Sequence, residues 1–197
     1  MRLILASSSR YRQDMLQRLA LPFTAISPDV DEHSLPGEDP AALALRLARA
    51  KAEAVAMRHP GSIVIGSDQV ATFDGRAIGK PGSHQRALAQ LRMLSGRSVT
   101  FHSAVCVTDG LREESDNVLT ICRFRQLDDD EIQHYLLRER PYDTAGSAKA
   151  EGLGIALMDA MQSDDPTAII GLPLIALSRM LRSFNLNPLL AHSGNPS

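Results

Sequence analysis

Leu3-Ile4-Leu5-Ala6-Ser7-Ser8-Ser9-Arg10-Tyr11-Arg12 carries the pattern on which the fold reading turns. Its short, unbroken apolar run reads as a strand buried on both faces, and the three serines close it with a turn. From Arg10 to Leu19 the period lengthens. Tyr11, Met15 and Leu19 stand four apart with Arg12 and Leu16 beside them, which predicts a helix. A buried strand that enters a helix through a small polar turn is the opening of an α/β domain.

Similar units continue along the chain. Phe23 to Ile26 predicts a second strand, stopped by Ser27-Pro28-Asp29. Asp39 is a good helix cap and Pro40 a good first position, and Leu43, Leu47, Ala50 and Ala54 mark the buried stripe that follows. His59-Pro60-Gly61 ends that helix. Ile63-Val64-Ile65 predicts another buried strand, which Gly66 is expected to break. Asp74-Gly75 is a strong hairpin dipeptide. A helix is expected between Pro81 and Leu94, and a long antiparallel pair from Val99 to Arg125 that turns near Asp109-Gly110. Asp128-Asp129-Asp130 opens a helix with acids in its favourable first turn. Ala168-Ile169-Ile170 predicts a strand, and Gly171-Leu172-Pro173 opens a last helix to about Phe184. The expectation is one α/β domain over residues 1–190, with antiparallel hairpins added to βα units. Residues 191–197 form a small, polar tail that is expected to fray.

The chain has 197 residues, against a prior of about 150 per domain, and needs no disulfide or metal staple to build a core. Lys and Arg number 21 against 23 Asp and Glu, a net charge of -2 that argues against a nucleic-acid polymer or an anionic membrane as partner. The 44% hydrophobic content excludes a disordered chain. No run approaches a membrane span, and the run before Ser7 is too short for a signal peptide, so a cytoplasmic location is expected. Cys106 and Cys122 sit in separate apolar runs and read as buried small hydrophobes. The six histidines make no H-x-x-x-H pair, against a zinc site.

Chemistry is sought where polar residues follow apolar strands. Ser7-Ser8-Ser9-Arg10-Tyr11-Arg12 frees the first amides of a helix, where an anion is favoured, and the arginines add fork-like donors. The same residues also read as an ordinary capped helix with a solvated basic face. Asp68, in Gly66-Ser67-Asp68-Gln69, is placed as a general base or a Mg²⁺ ligand, or as a turn residue only. Lys51 lies at the edge of its helical stripe, where it can snorkel or direct its ammonium into a cleft. Lys80 is framed tightly by Gly79 and Pro81. Asp29-Val30-Asp31-Glu32 reads either as a solvated turn or as a source of metal-binding carboxylate.

These segments, with Ala145-Gly146, Glu151-Gly152 and Gly171-Leu172-Pro173-Leu174, resemble in order the motifs of the Maf family of nucleoside triphosphate pyrophosphatases, from Leu3 to about Phe184. The resemblance implies a single domain with a long, bent mixed sheet flanked by helices, similar to inosine triphosphate pyrophosphatases. It implies cleavage between the α- and β-phosphates of a small nucleotide, with a divalent cation, Mg²⁺ or Mn²⁺, as cofactor. By position Asp68 corresponds to the catalytic acid, Ser8, Arg12, Lys51 and Lys80 to phosphate-handling residues, and Glu32 with Asp68 to the metal site. A homodimer is a further expectation.

One departure bears on substrate. The dTTP/UTP branch typically carries Arg, Thr and Gln where this chain has Tyr11, Gln69 and Glu151, which resemble the branch acting on 7-methyl-GTP. Elementary chemistry agrees. A 7-methylated guanine is cationic, so an aromatic face and a carboxylate both stabilise it. Tyr11 also reads as a core aromatic packed on Met15. The alternatives are a dTTP/UTP pyrophosphatase and a regulatory protein that restrains septum formation, a role associated with some family members.

Overall fold

In the computed structural model, which describes residues 2–190, strand β1 (Arg2–Ala6) runs parallel between β2 (Phe23–Ile26) and β3 (Ser62–Phe73). On its other side β3 pairs antiparallel with β5 (Ser98–Thr108), followed by β6 (Glu113–Phe124) and β7 (Met158–Ser163). Strand β4 (Arg76–Ile78) folds back on the end of β3 through the expected Asp74-Gly75 turn. The result is one mixed seven-stranded sheet in a single α/β domain, with five α-helices among the described residues. The expected tail at 191–197 lies outside those residues.

The helices are α1 (Arg10–Gln17), α2 (Pro40–Ala56), α3 (His84–Leu94), α4 (Asp129–Glu139) and α5 (Leu174–Ser183). Alternation along β1 sorts them. Leu3 and Leu5 enter the core made with α1 and α5, whereas Ile4 and Ala6 face α2. Helices α3 and α4 cover the far half of the sheet through Leu91, Leu94, Ile132 and Leu136. Asp128 caps α4 reciprocally with Glu131, so the acids predicted to open that helix do so. Both cysteines are buried and free. Burial pushes the Cys122 thiol up to about 12 and raises that of Cys106 further, leaving two inert packing groups.

Three sequence expectations are corrected. Ala168-Ile169-Ile170 is a 3₁₀ turn and not a strand, because its buried carbonyls are taken by side chains of β3 and β5 instead of a sheet ladder. Gly66 does not break β3, which runs on for seven further residues. The buried stripe of α2 runs through Leu43, Leu47, Lys51 and Val55 with alanines at 44, 48, 52 and 56, while Ala50 and Ala54 lie at its margin. Strand β7 was not legible, since Met158–Ser163 is an outer strand of mixed burial with no clear alternation.

The alanine ridge explains Gly66. A Cβ added there would stand 2.1 Å from the Ala48 carbonyl oxygen and 2.7 Å from the Ala52 amide nitrogen. Helix α2 therefore lies directly on the strand backbone, and only glycine leaves room. Gly66→Ala is expected to cost at least about 3 kcal/mol, the upper end for overpacked cores, because the obstacle is backbone that cannot rotate away. Urea unfolding checks this. An unchanged midpoint would mean that α2 is not seated as described.

Candidate active site

The sheet has a gap at its middle. Strand β1 pairs with β3 only as far as Ala6 opposite Gly66, and β4 takes up the same edge only at Ile78 opposite Ala71. Residues 67–70 of β3 thus have no strand neighbour on that side among the described residues. A cleft of about 580 Å³ opens there, within the usual range for small-ligand sites. It is walled by Ala6 to Arg12 at the entry to α1, by Asp68 to Val70, and by Ala77 to Lys80 after the hairpin.

Period-two alternation aims the side chains of β3. Gly66, Asp68 and Val70 share the face covered by α2, and Ser67 and Gln69 share the opposite one. Asp68 is buried, and its Oδ1 lies 2.6 Å from Lys51 Nζ. Glu32 Oε1 lies 2.8 Å from the same ammonium. Burial works to raise the Glu32 carboxyl, but the hydrogen bond from Lys51 and the charges of Lys51, Lys80 and Arg12 outweigh it and hold the group below its usual range. Lys51 is not at the edge of its stripe but inside it, with a side chain 5% exposed. A buried lysine there is tolerated because two carboxylates meet it.

On the other face, Ser67 Oγ donates to the carbonyls of Ala104 at 2.8 Å and Gly171 at 3.0 Å. The Gly171 carbonyl also accepts from Arg12 Nε at 3.0 Å. Gln69 turns its amide nitrogen to the Ala168 and Ile169 carbonyls, at 3.0 and 3.1 Å, and to Ser103 Oγ. The 168–171 turn is thus tied down by β3 and in turn orients Arg12. Burial lowers the Arg12 guanidinium from its ordinary value, opposed by the charges of Asp68 and Glu32. At the start of α1, Ser9 caps the helix and Ser7 Oγ accepts from the Ser9 amide, which leaves Ser8 exposed on the cleft wall.

Of the residues singled out from sequence, Ser8, Tyr11, Arg12, Glu32, Lys51, Asp68, Gln69 and Lys80 all line this one cleft. Tyr11 is half-buried on the cleft wall, whereas Met15 is buried in the core. Glu151 is exposed and is not part of the lining. Sequence reasoning missed two features. Asp143 lines the cleft and nothing in the sequence marks it. The bond from Ser67 to Gly171 follows from alternation along a strand once Gly66 no longer ends it.

A roomier groove of about 870 Å³ beside α5 has Asp165, Arg179 and Asp116 committed to structure. Asp165 Oδ2 accepts from the Ile175 amide at 2.6 Å, and Arg179 bonds Asp116. The 580 Å³ cleft instead gathers cations and carboxylates around open space.

Residues 2–184 match the model of the Maf-like proteins, nearly the whole chain. The chain belongs to the Maf family. A protein named 7-methyl-GTP pyrophosphatase in Bordetella pertussis is 69% identical to this Maf protein over 191 residues, covering 97% of this chain and 96% of that one. Another of that name in Burkholderia thailandensis is 63% identical, covering 92% of this chain and 87% of its own. Among solved structures, a HAM1 protein from Coxiella burnetii aligns with a TM-score of 0.52 at 18% identity over 93% of this chain and 99% of that one. That likeness concerns the fold alone. It agrees with the inosine triphosphate pyrophosphatase-like architecture that the resemblance implied.

The ion pairs of Lys51 carry a consequence for stability that corrects a purely substrate-facing reading of this lysine. With Lys51→Met, two carboxylates face each other without their cation, so the variant is expected to lose stability as well as activity at neutral pH. The sign with pH follows from Glu32. Its carboxyl is held low in the folded protein, so its contribution is complete above the ordinary carboxylate range and is lost as pH falls through and below it. The stability gap between wild type and Lys51→Met should therefore hold from neutral pH to about pH 5 and narrow as pH falls below the ordinary Glu value of about 4.3. Denaturant melts across that range test it, and a constant gap would show that the pair contributes nothing.

Proposed function

We infer that the protein is a nucleoside triphosphate pyrophosphatase that hydrolyses 7-methyl-GTP between the α- and β-phosphates, giving 7-methyl-GMP and pyrophosphate. The observation that carries the reading is the meeting of Asp68, Glu32 and Lys51 inside a cleft whose other walls supply Arg12, Lys80 and the free amides of α1. The relatives at 59–69% identity that bear this enzyme's name support the substrate.

In this reading the triphosphate lies along the cationic wall. Ser8 and the first amides of α1 donate to phosphate oxygens, where the helix dipole favours negative charge. Arg12, held by the Gly171 carbonyl, offers its remaining donors, and Lys80 reaches in from the hairpin. Lys51 exchanges part of its pairing with Asp68 for phosphate, and the carboxylate so released orients a water toward the α-phosphorus and accepts its proton. Positioning and charge neutralisation account for most of such a reaction. Tyr11 offers its ring to the methylated base.

A divalent cation fits the donor chemistry. Glu32 and Asp68 direct carboxylate oxygens to one point, within 2.8 Å of a single positive charge, and hard oxygen donors suit Mg²⁺ or Mn²⁺. No cluster of three or more such ligands occurs among the described residues, so phosphate and water would complete the shell. When bound, the ion would neutralise phosphate charge and polarise a phosphoryl oxygen.

Pyrophosphate release from a panel of 7-methyl-GTP, GTP, dTTP and UTP tests the reading, with wild type and Asp68→Asn run together. Wild type is expected to favour 7-methyl-GTP by about tenfold or more in kcat/KM. Chelation should abolish turnover, and Mg²⁺ or Mn²⁺ should restore it. Asp68→Asn should lose about 10²- to 10⁴-fold in kcat, the usual worth of a general base. Preference for dTTP or UTP would overturn the substrate and keep the reaction. A fully active Asp68→Asn would overturn the mechanism.

A further inference from the structure

Beside the phosphate-handling wall, a second group of charges surrounds Tyr11. Asp143, on the cleft wall, accepts from the Tyr11 hydroxyl at Oδ2, 3.4 Å away. Its Oδ1 lies 3.9 Å from Lys149 Nζ. That ammonium stands 5.9 Å from the centroid of the Tyr11 ring, in cation–π range, and donates to the Glu139 carbonyl at 3.2 Å. A cation, an aromatic face and a carboxylate are therefore assembled inside the protein. They are the same three elements that a charged purine bound against Tyr11 would bring together.

We propose that Asp143 is the carboxylate that reads the cationic base, and that Lys149 is the internal cation which Asp143 holds until that base arrives. The proposal rests on the 7-methyl-GTP reading and assigns the specificity of the same cleft. Asp143 is 61% exposed at its side chain, held by long contacts from the Tyr11 and Thr144 hydroxyls at 3.4 Å besides Lys149, while Lys149 is 17% exposed and has the Glu139 carbonyl as a second partner. Burial lowers the Lys149 ammonium, but Tyr11, Asp143 and Glu139 together raise it above its ordinary value, so it is charged in the free protein.

Exchange gives the discrimination. A 7-methylguanine cation can replace the ammonium both at Asp143 and over the Tyr11 ring, and it offers N1–H and 2-amino donors to the carboxylate. A neutral guanine offers the same donors without the charge. Seating it separates Asp143 from Lys149 and returns hydrogen bonds but no charge. Glu151, two residues beyond Lys149, is exposed and lies outside the lining.

The readout is the ratio of kcat/KM for 7-methyl-GTP to that for GTP, which a merely structural role would not move. In Asp143→Asn this ratio is expected to fall about tenfold, the scale of a partly desolvated cation–π and ionic contact. In Lys149→Met, which keeps the aliphatic stem and removes the ion that both nucleotides must displace from Asp143, kcat/KM should rise about threefold on both, with the ratio kept. Equal losses on both nucleotides in Asp143→Asn, or no gain on either in Lys149→Met, would overturn the exchange. A wild-type enzyme with no preference would overturn the substrate reading itself, and with it this proposal. A wild-type preference that survives Asp143→Asn would overturn the proposal alone.

Discussion

Helix α2 sits on the bare backbone of β3 at Gly66, and the chemistry depends on that contact. Ala48 and Ala52 touch the strand where a side chain would otherwise stand, so the depth and rotation of the helix are fixed by backbone against backbone. Lys51 occupies the same stripe between these two alanines, and Asp68 is the next residue on the same face of the strand after Gly66. The ammonium and the carboxylate are thus brought to 2.6 Å by packing that neither of them supplies. Close-packed interiors transmit such constraints because they have no slack to absorb a shift. A helix held further off by a larger residue would carry Lys51 away from both of its partners.

The second constraint is the interrupted edge of β3. Between the end of β1 and the start of β4 the strand stays extended through its pairing with β5, yet it exposes one edge to the cleft. Four residues then serve both faces. Asp68 and Val70 look toward α2, and Ser67 and Gln69 fasten the 168–171 turn, whose Gly171 carbonyl holds Arg12. Asp68 and Arg12, the proposed base and phosphate donor, are in this way referred to a single rigid segment, and rigid support is what a positioning mechanism needs.

Much of this was legible in the sequence. The strand, turn and helix from Leu3 to Leu19, the capped start of α2 and the Asp74-Gly75 hairpin all follow from local chemistry, and the order of motifs identified the family. The misreadings share one cause. Glycine at 66 reads as a breaker because its local propensity is poor, whereas tertiary contact with α2 demands it. Ala168-Ile169-Ile170 has the composition of a strand, but side-chain donors from β3 and β5 capture its carbonyls. Lys51 was placed at a margin because charge is normally expelled from a stripe, and only the three-dimensional approach of Glu32 and Asp68 admits it. Asp143 carried no signal at all, since a lone acid in a Pro-Tyr-Asp-Thr turn resembles any solvated loop.

In the proposed reaction water meets the α-phosphorus beside Asp68, and the leaving pyrophosphate spreads along Lys51, Lys80, Arg12 and the entry to α1. Hydrolysis of 7-methyl-GTP in heavy-oxygen water, with mass spectrometry of both products after a single turnover, tests this placement most directly. The account predicts the label in 7-methyl-GMP and none in pyrophosphate, because the attack is at the α-phosphorus. Label in the pyrophosphate, or in orthophosphate released from the nucleotide's end, would contradict it.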